Sequence, residues 1–123
     1  MERLIGHKIK SITLDNDGYV LTIVTDRSTF KYVTEGDCCA YAYINDFDQE
    51  AANALCGHIV HKVGTYGFCS IEDAYGEAVD TQFYSIQTHG GDLEIELRTE
   101  HNGYYSGWIS FLSETPHENN EAC

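Results

Sequence analysis

Cys56, His58 and His61 have the side chains to hold a metal, with Cys38 and Cys39 upstream in the 123-residue chain. Structural zinc takes four ligands, usually paired as Cys-x(2–4)-Cys and His-x(3–5)-His. Here two cysteines are adjacent and the histidines stand three apart, so on a strand His58 and His61 would face opposite sides. No metal is expected. Adjacent Cys38 and Cys39 also lack the Cys-x-x-Cys spacing of a redox pair. The five cysteines are an odd number, and the first 20 residues carry no secretory core, so reduced thiols in a cytoplasm are expected, with no disulfide. Cys56 and Cys69 then read as small buried hydrophobes.

Catalytic signatures are missing: there is no Gly-x-Ser-x-Gly, no His-Glu-x-x-His and no Gly-rich loop followed by Lys. A non-enzyme with no cofactor is expected. Charge and tyrosine are the more informative features. Seven Lys and Arg against 20 Asp and Glu leave a net charge of -13. That balance argues against direct nucleic-acid binding and against anionic membrane surfaces. No apolar run is long enough for a membrane span. The charge is polarised: residues 1–54 hold nine acids and five bases, residues 55–123 eleven acids and two bases. Asp92, Glu94 and Glu96 alternate with Leu93, Ile95 and Leu97, which places three carboxylates along one strand face at a repeat of roughly 6.8 Å. Tyr104 and Tyr105 would point to opposite faces of a strand, so at most one joins the core beside Trp108 and the other would be exposed as a binding residue.

These side chains need elements to position them. Residues 7–14, 19–25 and 29–33 read as a three-stranded meander, with turns at Asn16-Asp17-Gly18 and Asp26-Arg27-Ser28. Between residues 37 and 55, Tyr43, Phe47, Ala51 and Leu55 recur every four positions, which predicts one amphipathic helix capped by Asp37 and stopped by Gly57. An extended 40–44 segment is the alternative, and it would move the fold toward an all-β barrel. Residues 92–99 and 104–112 read as further strands. The expected fold is α+β, mainly antiparallel sheet of six to eight strands in two related hairpin units, with the helix between them. Residues 1–112 would form one domain, and residues 113–123 an acidic, disordered tail.

The two units are visible as a repeat. Leu4-Ile5-Gly6-His7 through Ile12 matches Leu55-Cys56-Gly57-His58 through Val63, and residues 21–25 match 84–88. Phe30 and Tyr32 then stand where Leu93 and Ile95 do. The second unit is longer, its extra residues falling in 65–80, which read as a loop.

Two signatures, Glu35-Gly36-Asp37-Cys38-Cys39 and Asn102-Gly103-Tyr104-Tyr105-x-Gly107-Trp108, resemble those of a small domain family of unknown function found largely in bacteriophage and prophage genomes. The resemblance covers residues 4–112 and departs at the less polar Ala40-Tyr41-Ala42-Tyr43 and at the acidic tail. It brings no established activity and no catalytic residue; it implies a viral origin and a small accessory role. Together with the charge, it leads to a phage-encoded factor acting in the host cytoplasm. Its acidic face would bind a basic host protein by mimicking nucleic acid, with Asp92, Glu94, Glu96, Tyr104 and Tyr105 as interaction residues. A small-ligand sequestering protein and a structural accessory protein are the alternatives. A nucleotide binder would need a cationic pocket, for which the second half offers Lys62 and Arg98.

Overall fold

The computed structural model describes residues 1–37, 40–72, 76–101 and 106–117. Among these, eight antiparallel strands form two four-stranded sheets, with one short helix, as the α+β reading expects. Strands β1 (Ile9–Leu14), β2 (Val20–Thr25) and β3 (Ser28–Gly36) make the opening meander. Asp15 closes its first turn, accepting hydrogen bonds from the Tyr19 and Val20 amides at 2.8 and 3.0 Å. β4 (Tyr41–Asn45) leads to α1 (Gln49–Ala54), followed by β5 (Val60–Glu72), β6 (Ala78–Thr88), β7 (Gly91–His101) and β8 (Gly107–Pro116). The sheet orders are β1-β2-β3-β8 and β4-β7-β6-β5.

The repeat is built as a pseudo-two-fold. Ile23 opposes Phe30 in the first sheet as Ile86 opposes Leu93 in the second, and Leu21 opposes Tyr32 as Tyr84 opposes Ile95. At the axis Lys8 bridges Ile59. The hydrogen bonds around it come in matched pairs: Gly6 N–H to the Val60 carbonyl and Gly57 N–H to the Ile9 carbonyl, each at 2.8 Å. Both glycines have positive φ, 89° and 84°, the left-handed turn that an L side chain resists. Thr25 and Thr88 are likewise equivalent, each accepting the amide two residues on and donating to the carbonyl three residues on. Leu4 and Leu55, both fully buried, occupy matching places in a core shared by the two sheets.

Each unit gives its last strand to the other. β4 leaves the first unit to pair with β7, and β8 leaves the second to pair with β3. Close approach at this crossing requires Gly107. A Cβ there would overlap the Thr99 hydroxyl and stand 2.9 Å from the Ala42 Cβ. Because Thr99 and Ala42 are themselves buried, Gly107→Ala is expected to cost roughly 1–3 kcal/mol through overpacking, read as a lower urea midpoint. An unchanged midpoint would show that the crossing is looser than described.

Four expectations are corrected. The helix spans Gln49–Ala54, not 37–55; its cap is Asp48, whose carboxylate accepts the Ala51 amide at 3.0 Å. Tyr43 belongs to β4, so the four-residue spacing joined a strand residue to a helical pair. Residues 65–80 mostly lengthen β5 and β6 into a protruding ribbon rather than a loop. β8 continues beyond residue 112 to Pro116, because Ser113, Glu114 and Thr115 still pair with β3; residues 118–123 lie outside the described residues. Cys56, Cys69 and Trp108 are exposed, Cys56 in the turn after Leu55, Cys69 on the ribbon and Trp108 on the outer face of β8. Among the described residues no helix is long and apolar enough to cross a membrane.

His7, buried with its Nδ1 2.8 Å from the Thr25 hydroxyl, is held below the ordinary histidine pKa, first by burial and then by the Arg27 charge. The unfolded chain therefore takes up a proton that the native state refuses, and stability falls as pH drops below about 6.5. His7→Gln, which cannot titrate there, should lose less stability than the native chain between about pH 7 and pH 5. Equal losses in thermal melts would contradict this.

Candidate functional site

Strand β7 buries Leu93, Ile95 and Leu97 and turns Asp92, Glu94 and Glu96 outward, as its alternation requires. Two further carboxylates, which the sequence reading missed, join them. Asp46 follows β4 with a positive φ of 52°, tolerable for an aspartate. The chain then turns into α1, bringing in Asp48. Asp46, Asp48, Asp92, Glu94 and Glu96 line one open groove of about 330 Å³ with Phe83 and Ala51. The signal in the sequence was the Asp46-Phe47-Asp48 run at a strand-to-helix turn, but its partner strand could not be read from spacing.

Two of these acids are tethered. Glu96 accepts Arg98 Nε at 2.6 Å and Asn45 Nδ2 at 3.3 Å. Glu94 accepts the Tyr66 hydroxyl, a hydrogen bond that holds Tyr66 above the ordinary tyrosine pKa. Tyr66 stacks on Phe83 with ring centres 5.5 Å apart. Further along the same outer face, the Tyr19 hydroxyl donates to the Tyr41 hydroxyl at 2.7 Å, and Tyr43 donates to Glu100 at 3.0 Å. The bond to Tyr41 pushes Tyr19 up to about 12. The Tyr41 and Tyr43 rings lie 5.0 Å apart. The face thus grades from tyrosines at one end to carboxylates at the other, the mix of aromatic anchors and charged rim found at protein interfaces.

The fold does not demand this acid row. By the repeat, Asp92, Glu94 and Glu96 correspond to Thr29, Lys31 and Val33, which sit at the same register in the first sheet. A strand in that place accepts a lysine, so the three acids are a property of the second unit alone.

Other candidates are weaker. Tyr104, Tyr105, Cys38 and Cys39 lie outside the described residues. Cys56, His58 and His61 do not converge, and among the described residues no three His, Cys, Asp or Glu side chains are placed to share an ion. Ser70 donates to Asp80 at 2.5 Å and His101 meets the other Asp80 oxygen at 2.9 Å. The carboxylate stands in the middle, so the imidazole is not placed to take the Ser70 proton, and the trio ties β5, β6 and β7 together. A second groove of about 280 Å³, lined by Met1, Glu2, Val63, Gly64, Thr65 and Tyr84, has no Lys or Arg to hold a phosphate.

No curated protein and no solved structure matches the chain. A family model described as a domain of unknown function (DUF7448) matches residues 2–111, and the chain belongs to that family.

Proposed function

We propose that this member of the family is a phage-encoded binding factor without catalytic activity. It works in the host cytoplasm, where the outer face of its second sheet engages a basic surface of a host protein, of the kind that ordinarily holds DNA or RNA. The observation that carries this reading is the groove itself: five carboxylates from β7 and the turn between β4 and α1 meet beside Phe83, at positions where the repeat shows three need not be acidic. Carboxylates repeating along β7 are spaced on the order of successive backbone phosphates. Charges this close reinforce one another's field, which raises association rates with a basic cleft and makes binding fall with salt. The tyrosines beside them supply apolar contact that a solvated charge patch would not need.

Affinity capture from host lysate tests the proposal. The native chain should retain a basic, nucleic-acid-binding protein that elutes with salt, and added DNA or RNA should compete for it. Capture of a small ligand instead, or of no host protein, would overturn it in favour of a sequestering or a structural accessory role.

A further inference from the structure

We propose that the β5–β6 ribbon is a self-association surface, through which two copies of this chain pair about a two-fold axis. The ribbon exists because the second unit is twelve residues longer than the first between equivalent positions: Ile12 matches Val63, but Leu21 matches Tyr84. The β5 half of the added length builds no core, since every residue of β5 after Val63 is exposed. It instead places three large apolar side chains in water within six residues: Tyr66 at 44%, Phe68 at 63% and Ile71 at 69% exposure. Such a concentration on a small acidic protein marks a covered surface.

Charge selects the occupant. Residues 63–71 contain no ionisable acid or base stronger than a tyrosine or thiol, in a chain of net charge -13. Two such chains repel unless they meet through a neutral patch, and an isologous contact sets each patch against its own copy. Asp80, the carboxylate opposite Ser70, is already held by Ser70 and His101, so a basic partner would be drawn instead to the open acid groove. The other sheet edges are protected differently: β1 carries Lys10, β4 is five residues long, and β8 carries Glu114 and ends at Pro116. β5 is the edge without a charge or proline over nine residues, its one interruption there being a bulge between Tyr66 and Cys69. With the two β5 strands adjacent, the two β7 acid rows would stand five strand spacings apart, about 24 Å. That exceeds two Debye lengths at physiological salt, so the grooves do not oppose the pairing.

Sedimentation velocity on the full chain decides it. The native protein should be monomeric at about 1 μM and dimeric at about 100 μM, with added salt leaving the dimer intact or strengthening it. Phe68→Lys/Ile71→Lys changes exposed side chains only and should remain folded and monomeric throughout. A native chain that stays monomeric at the higher concentration, or a double variant that dimerises equally, overturns the proposal. So does a dimer that salt dissolves, which would assign the contact to charged surfaces. The acid groove is untouched in this variant, so the outcome is independent of whether that groove binds a basic protein.

Discussion

Reversing three charges, Asp92→Lys with Glu94→Lys and Glu96→Lys, is expected to weaken binding to a basic surface roughly 100-fold and to invert its salt dependence. Each exposed ion pair contributes little alone. Reversal, however, converts three attractions into three repulsions at one place, and every factor of ten corresponds to about 1.4 kcal/mol. The variant should fold, because the equivalent strand β3 carries Lys31 at the Glu94 position and its register is otherwise identical. Glu96 is the acid to watch most closely, since it holds both Arg98 and Asn45, whereas Glu94 holds only the exposed Tyr66 hydroxyl. Asp92→Lys/Glu94→Lys, with Glu96 kept, separates lost binding from local disorder: it should lose most of the affinity with an unchanged circular dichroism spectrum. If the triple variant binds as tightly as the native chain, with the same salt slope, the acids are only a solvated face.

The largest stability effects should come as a matched pair. Leu4→Ala and Leu55→Ala each remove a fully buried side chain from the shared core at equivalent places beside the pseudo-two-fold. Deleting a buried leucine to alanine costs about 2–5 kcal/mol, depending on how far the site collapses. The surroundings match, with the His7 amide bonded to the Leu4 carbonyl at 3.0 Å and the His58 amide to the Leu55 carbonyl at 3.1 Å. Equilibrium urea unfolding should therefore show two similar, severe losses. A mild effect at either position would mean that the two units do not share one core.

Much of this was legible in local pattern. The alternation in β7 fixed which side chains point inward, and the turn residues located the meander, because both depend on neighbours in sequence. The repeat was readable because Leu-x-Gly-His serves the same turn twice. The helix was overextended because Tyr43 and Phe47 fell in phase with Ala51 and Leu55, although Tyr43 faces outward on a strand and the chain reverses at Asp46. The exchange of β4 and β8 between units had no local signal at all, being a choice among distant partners. That exchange is what brings Asp46 to Asp92, so three of the groove's acids could be found in the sequence and two could not. Cys56 and Cys69 looked apolar by type, but a cysteine carries no pattern that reports its exposure.

The central claim, that the outer face of the second sheet is a binding face, is tested most directly by one NMR titration. The isotope-labelled full chain is titrated with an arginine-rich peptide, and the amide shifts are followed residue by residue. Saturating shifts should gather at Asp46, Asp48, Phe83, Asp92, Glu94 and Glu96 and shrink as salt is added. Shifts spread over all acidic residues, without saturation and without preference for β7, would contradict it.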